Sequence, residues 1–124
     1  MAKAINWPES FREEILAEDS EALHIALRIG ALYFTNQYWV PDEIVDIRVN
    51  HFKVRQGVVV GELRQCCLGL LTVNDYALLK STLRTRENVI AFLAANYQVP
   101  VDNDTLVTIV TYRNKPLIPE EIEV

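Results

Sequence analysis

The residues best suited to bind a ligand are four basic side chains in the middle of the chain, preceded by an aromatic segment. Within residues 48–65 the only acidic residue is Glu62, so this segment is positively charged, whereas the whole chain has a net charge of -5. The four basic residues are Arg48, Lys53, Arg55 and Arg64. Arginine donates paired hydrogen bonds to phosphate, and an aromatic side chain such as Trp39 can stack on a nucleobase. The pattern predicts a site for an anionic ligand, although basic residues also protect a sheet edge from aggregation.

Cysteine and histidine give no pattern of a metal centre or of a catalytic triad. Cys66 and Cys67 are adjacent, and neighbours on a strand point to opposite faces, so we expect two reduced, partly buried thiols. His24 and His51 each lie in a stretch that reads as strand, and neither belongs to a ligand-spacing or nucleophile motif. We therefore assign no metal, no cofactor and no catalytic residue.

The elements that must position these residues begin with a helix whose first turn contains Pro8. Alternating apolar and polar residues predict strands over 22–29 and 43–52. Apolar and β-branched residues predict two more strands over 58–63 and 105–112. A helix over 22–29 is the alternative, because alanine and leucine favour helices. We expect the four strands to share one sheet.

Two helices are predicted between the last two strands. Thr72 followed by Asp75 has the form of a capping box, which predicts a helix to about Lys80. Thr85 then caps a second helix with one apolar face. That face contains Val89, Ile90 and Leu93. The order of elements lacks a regular βαβ alternation, so we predict an α+β fold with a small, mostly antiparallel sheet or a partly open barrel and short helices.

Length and composition are those of one ordinary domain. The chain has 124 residues, of which 50% are apolar and 23% are charged. We expect one globular domain over 1–115 and an extended or disordered acidic tail over 116–124. Because the sequence contains neither a membrane-spanning apolar run nor a signal-peptide pattern, and its thiols are expected to be reduced, we expect no membrane contact and a cytoplasmic location.

Three segments in the second half of the chain follow one another in a characteristic order. They are 71–75 (LTVND), 87–93 (ENVIAFL) with Tyr97, and 106–110 (LVTIV). Over residues 58–112 their order and spacing resemble the ASCH type of PUA-like small barrel. The resemblance implies a partly open barrel whose cleft binds RNA or a nucleotide-like ligand.

The first half of the chain departs from that family's pattern. Where the family carries glycine and lysine ahead of an acid-x-Arg pair, this chain has Pro41 and Glu43 ahead of Asp46 and Arg48. Some family members are amidohydrolases acting on modified nucleosides and rely on that lysine, so the resemblance implies a binding module rather than an enzyme. The alternative is a protein–protein interaction or dimerisation domain, with a homodimer as its simplest form. Salt-dependent RNA binding would distinguish the first interpretation from the second.

Overall fold

A mostly antiparallel sheet organises residues 3–116, the part of the chain that the computed structural model describes. Its six strands are β1 (Ala4–Trp7), β2 (Leu23–Ile29), β3 (Ile44–Val49), β4 (Phe52–Val59), β5 (Arg64–Cys67) and β6 (Leu106–Asn114). Their order is β1-β3-β4-β6-β2, and β5 pairs with β6 off this path. Only the β1–β3 pair is parallel among these strands. The sheet is not closed into a barrel. Its mostly antiparallel pairing, together with the short helices, confirms the predicted α+β class.

The helices are short and lie between the strands. They are α1 (Arg12–Ala17), α2 (Leu32–Thr35), α3 (Val73–Leu78) and α4 (Arg86–Tyr97), with single 3-10 turns at Glu9–Phe11, Leu68–Leu70 and Ser81–Leu83. Both predicted caps are present. The hydroxyl of Thr72 accepts from the Asp75 amide at 3.1 Å while the Asp75 carboxylate accepts from the Thr72 amide at 3.0 Å. No helix of residues 3–116 is long and apolar enough to span a membrane.

Two strand boundaries differ from the sequence-based prediction. The segment 43–52, predicted as one strand, contains the whole of β3, a turn at Asn50 and His51, and the first residue of β4. Both turn residues have positive φ angles, 51° and 71°, which reverse the chain without interrupting the alternation of residue types. His51 therefore lies in a turn and not on a strand, and the predicted strand over 58–63 covers only the end of β4.

The start of the chain also differs. Residues 4–7 form β1, which the sequence did not predict, and the helical segment begins only at Glu9. Ile5 and Trp7 of this strand are buried, because β1 pairs with β3 at the edge of the sheet and its alternate side chains enter the core. The 22–29 segment is the strand β2, so its helical alternative is wrong.

The core lies between the sheet and α4. Val89 and Leu93 are each 1% exposed, and Ile90 is half-buried against the core, so the predicted apolar face of α4 is confirmed at its centre and partly open at Ile90. The predicted tail over 116–124 falls outside the described residues from residue 117 onward.

Candidate functional site

The structure brings together only two of the predicted ligand-binding residues. Arg48 of β3 and Lys53 of β4 are paired across the hairpin. Both face the Asp46 carboxylate, with Nη2 of Arg48 at 3.2 Å and Nζ of Lys53 at 3.7 Å. The side chain of Lys53 is 51% exposed. They form a small accessible patch in which one acid offsets part of the positive charge.

Arg55 lies on the other face of the sheet and is buried. Its Nη1 donates to the carbonyl oxygens of Ile15 and Glu18 at 2.9 and 3.1 Å, and its Nη2 donates to that of Lys115 at 2.7 Å. It therefore binds the carbonyl end of α1, and burial lowers its pKa below the ordinary arginine value. The reason for its orientation is a bulge in β4 between Lys53 and Arg55, since Arg55 pairs with Ile47 and Lys53 pairs with Arg48.

Arg64 and Trp39 are also separate from the Arg48–Lys53 patch. Nη2 of Arg64 donates to the Asp75 carboxylate at 2.5 Å, which joins β5 to the first turn of α3. Trp39 is 1% exposed and stacks on Tyr33 with ring centroids 5.0 Å apart. Trp39 therefore has no free ring face for a base, and Arg64, although its side chain is 48% exposed, is already paired with a carboxylate.

A cleft lies at the gap between β1 and β2, the two ends of the sheet path, which we call the seam. The Arg28 side chain bridges this gap, because Nη1 donates to the Leu27 carbonyl at 2.8 Å and Nη2 donates to the Asn6 carbonyl of β1 at 3.2 Å. The cleft has a volume of about 430 Å³. Its walls, which define the seam cleft, are Asn6, Trp7, Pro8, Leu27, Arg28, Asn50, His51, Phe92, Leu93, Asn96 and Tyr97.

The seam cleft presents amide, hydroxyl and aromatic groups. The Oδ1 atom of Asn6 accepts from the His51 amide at 2.7 Å, which leaves its NH2 group free to donate. The Nδ2 atom of Asn96 donates to the Phe92 carbonyl at 2.8 Å, which leaves Oδ1 free to accept. The Tyr97 hydroxyl accepts from an amide of β2 at 3.3 Å and keeps its own hydrogen. None of the described wall residues is acidic.

The β3–β4 hairpin places His51 in the cleft wall at a cost in backbone strain. A two-residue hairpin with positive φ at both positions favours Asn-Gly, because glycine has no Cβ atom to clash. Asn50 fits the first position, but His51 occupies the second with φ 71°. A non-glycine residue in this region costs about 1–2 kcal/mol. The hydrogen bond from its amide to Asn6 holds the strained turn against β1.

A buried polar cluster lies beneath the seam cleft, and we call it the Lys80 cluster. Lys80 is 2% exposed, and its Nζ donates to the Glu18 carboxylate at 2.8 Å and to the Tyr112 hydroxyl at 3.1 Å. The other carboxylate oxygen of Glu18 accepts from Asn114 at 2.8 Å and lies 3.7 Å from Nε2 of His24. The cluster therefore consists of Glu18, His24, Lys80, Tyr112 and Asn114.

Electrostatics in the Lys80 cluster favour one protonation state at neutral pH. Burial alone would lower the pKa of Lys80, but Tyr112 and Glu18 outweigh it and raise the pKa above the ordinary lysine value. Burial lowers the pKa of His24, and the attraction of Glu18 is opposed by Lys80 and Arg55. Burial raises the pKa of Tyr112. The cluster thus holds a lysine cation against a glutamate, beside a neutral imidazole and a neutral phenol.

The two cysteines are free, as predicted, and both are half-buried on β5. Burial raises the pKa of the Cys66 thiol, so this side chain remains protonated at neutral pH. The location suits a packing role at the edge of the sheet, where Cys66 contacts the core.

Sequence reasoning missed the seam cleft and the Lys80 cluster. Both are assembled from side chains that are far apart along the chain, such as Glu18 and Lys80, which are 62 residues apart. The one local signal was Asn50 next to His51 between two alternating segments, which is compatible with a hairpin turn. The sequence pattern identifies Lys80 only as the end of a predicted helix.

Comparisons with protein-family models, with curated proteins and with solved structures found no match to this chain.

Proposed function

We propose that this protein is a binding module and that the seam cleft binds a nucleotide-like anionic ligand, either a nucleotide or the phosphate and base of single-stranded RNA. The observation that carries the proposal is Arg28. Its hydrogen-bond acceptors among the described residues are two backbone carbonyl oxygens and no carboxylate. No carboxylate among residues 3–116 therefore pairs with its charge, which lies 6.0 Å from the Trp39 ring at the edge of a cleft whose described walls contain no acid.

The contrast with three other arginines, Arg48, Arg55 and Arg64, supports this assignment. Arg48 and Arg64 are each paired with a carboxylate, and Arg55 is buried against three carbonyls. Arg28 is half-buried, and its two carbonyl contacts fix the guanidinium plane while leaving other N–H groups free. A fixed guanidinium with free donors suits the oxygens of a phosphate.

The remaining walls suit a planar, hydrogen-bonding group. The free donor of Asn6 and the free acceptor of Asn96 match the mixed donors and acceptors along the edge of a nucleobase. His51 and Tyr97 are both exposed and supply ring faces for stacking. The cleft volume of about 430 Å³ is in the range of small-ligand sites.

The Arg48–Lys53 patch offers a continuation of this site for a longer ligand. Arg48 is the register partner of Asn6, so both side chains leave the same face of the sheet. A polymer with one phosphate at Arg28 has further phosphates that can contact this patch, whereas a mononucleotide has a single phosphate. Of the residues predicted from sequence, Arg48 and Lys53 therefore retain a part in the proposed site.

The test is a titration of a labelled single-stranded RNA hexamer and of a nucleoside monophosphate at two salt concentrations. Arg28→Gln should weaken both affinities by at least about tenfold, because a hydrogen-bonded charge contributes roughly 1.5–3 kcal/mol. Arg86→Gln, which removes the same charge from an exposed position at the start of α4, is the matched control and should change affinity less than about twofold. Equal effects of the two variants, or no wild-type binding at millimolar ligand in low salt, would contradict the proposal.

A second candidate function is a protein–protein interaction or dimerisation domain, which exposed apolar side chains favour. Leu32 is 74% exposed, Leu70 is 69% exposed and Val73 is 89% exposed. Sedimentation at low and high salt separates the two candidates, because apolar association is insensitive to salt while phosphate binding is not. A salt-insensitive dimer without RNA affinity would favour this second function.

A further inference from the structure

We propose that Lys80 is a positioning residue for Trp7 at the base of the seam cleft, and that protonation of His24 loosens this arrangement and so regulates the cleft. The regulatory part rests on the proposed function. The positioning part does not, since the environment of Trp7 is measurable without any ligand.

Trp7 connects the Lys80 cluster to the seam cleft. The Nζ atom of Lys80 lies 4.3 Å from the centroid of the Trp7 ring, in the geometry of a cation–π contact in a desolvated place. The same indole lines the seam cleft and packs on Phe11 and Phe92 with centroids 5.4 and 6.4 Å apart. Phe92 is itself a wall of the cleft, so a displacement of Trp7 changes the shape of the binding surface.

The ammonium of Lys80 holds its place over Trp7 only while Glu18 and Tyr112 bind it. Its attraction to Glu18 offsets the cost of burying the charge, since an isolated buried ammonium loses several kcal/mol of hydration. Tyr112 adds a second acceptor from β6. The position of Trp7 is therefore coupled to the state of the Glu18 carboxylate.

His24 competes for that carboxylate once it is charged. Its Nε2 atom is buried, has no hydrogen-bond partner among the described residues, and lies 3.7 Å from the nearer Glu18 oxygen. The titratable and charged groups that face it are Glu14 of α1, Glu18 beyond its end, Arg55 of β4, Lys80 after α3 and Tyr112 of β6. A neutral imidazole fits among these groups, because the two cations oppose a third one.

Uptake of one proton from solvent changes this balance. A protonated His24 carries an N–H on both ring nitrogens, so Nε2 can donate to Glu18 after a shift of less than about 1 Å toward hydrogen-bond distance. Glu18 would then be shared between two cations, and its hold on Lys80 would weaken. The expected consequences are a displaced ammonium, a changed environment of Trp7 and a weaker fit of ligand in the cleft.

The first experiment follows Trp7 fluorescence in ligand-free protein from pH 8 to pH 5. Trp39→Phe makes Trp7 the only tryptophan and preserves an aromatic ring for Tyr33 to stack on. We expect a change in emission with a single midpoint below about 6.5, the ordinary histidine value. The change should disappear in His24→Gln and persist in His51→Gln, which removes the exposed histidine of the cleft.

A pH response that survives His24→Gln, or no response in the parent protein, would overturn the proposal. Lys80→Arg should keep the response because it keeps the cation, whereas Lys80→Met should lose it. If Trp39→Phe does not fold, the comparison of His24→Gln with His51→Gln in the two-tryptophan protein decides the same question.

The second experiment measures affinity for the nucleoside monophosphate at pH 7.5 and pH 5.5 in the wild-type protein and in His24→Gln. Both proteins keep His51 and bind the same ligand, whose phosphate itself takes up a proton with a pKa of about 6, so only the difference between the two proteins reports on His24. The fall in affinity should be about fivefold larger in the wild type, the lower end of typical coupling between sites. Equal falls in the two proteins would overturn the regulatory part, whereas absence of all binding to the wild type would overturn the proposed function and leave the fluorescence result decisive for Trp7.

Discussion

Arg28 lies in the wall of the seam cleft, and Lys80 lies beneath the cleft against Trp7. The two cations differ in their hydrogen-bond partners. Lys80 is 2% exposed and is matched by the Glu18 carboxylate and the Tyr112 hydroxyl. Arg28 is half-buried and has two backbone carbonyls as its described hydrogen-bond acceptors. A charge that is fully buried must be paired inside the protein, while one that still meets solvent can remain uncompensated. The difference separates a cation that maintains the fold from one that is available to an external anion.

The two regions also differ in the strain that they contain. The Lys80 cluster contains three contacts of 2.8 to 3.1 Å in ordinary hydrogen-bond geometry, and its unsatisfied polar atoms among the described residues are side-chain atoms of His24 and Asn114. The seam cleft includes the positive φ of His51 and the outer edges of β1 and β2, which pair with no further strand within residues 3–116. Backbone strain of this kind persists where the surrounding structure fixes it, and it occurs often at binding sites. The comparison leads to different mutational outcomes in the two regions.

The largest effect is expected from breaking the Lys80 cluster. Glu18→Ala leaves the Lys80 ammonium buried without its carboxylate and should lower the free energy of unfolding by about 3–5 kcal/mol. Glu13→Ala on the exposed face of α1 is the control and should change it by less than about 0.5 kcal/mol. Denaturant melts measure both. Equal stability of the two variants would mean that Lys80 does not depend on the Glu18 carboxylate.

A similar loss is expected from the apolar wall that the seam cleft shares with the core. Leu93 is 1% exposed on α4, and Leu93→Ala should cost about 2–5 kcal/mol because it leaves a cavity. Arg86→Ala at the exposed start of the same helix serves as the reference, with an expected change below about 0.5 kcal/mol. A loss below about 1 kcal/mol for Leu93→Ala in chemical denaturation would indicate that this face is not part of the core.

Arg55 and Arg48 test the separation of the predicted basic cluster by the bulge in β4. Arg55→Ala leaves three carbonyl oxygens without their donor and should destabilise the fold by at least about 2 kcal/mol. Arg48→Ala removes only a half-exposed contact to Asp46 and should change stability by less than about 1 kcal/mol. Thermal melts of the two variants compare them directly. Equal melting temperatures would mean that Arg55 is accessible, as the sequence alone suggested.

The smallest effect concerns the pH dependence of stability. Because the folded protein holds the pKa of His24 below its ordinary value of 6.5, the unfolded chain takes up the proton first as the pH falls. The free energy of unfolding should therefore decrease from about pH 7 downward until the folded His24 is itself protonated. Denaturant melts at several pH values should show a shallower decrease for His24→Gln. The free energy of unfolding of His51→Gln should fall with pH as it does in the wild type. A steeper fall in His24→Gln would mean that folding raises the pKa of His24 instead of lowering it.

The sequence alone determined the elements whose signals are local. The capping box at Thr72, the cap at Thr85, the face of Val89 and Leu93, and the alternation of β2 all depend on residues within a few positions of one another. Short-range sterics and hydrogen bonds decide such features, so residue order predicts them. The α+β class followed from the order of these helices and strands along the chain.

Only the tertiary structure decided which charged and polar side chains meet. The alternation over 43–52 continues through the turn at Asn50 and His51, and one extra residue in β4 reverses the side of the sheet to which Arg55 points. Glu18 meets Asn114 across 96 residues of sequence. Pairings at such separations depend on strand register and on the packing of distant elements, and a single residue in the register moves a side chain from surface to core. The seam cleft and the Lys80 cluster therefore exist only in the folded chain.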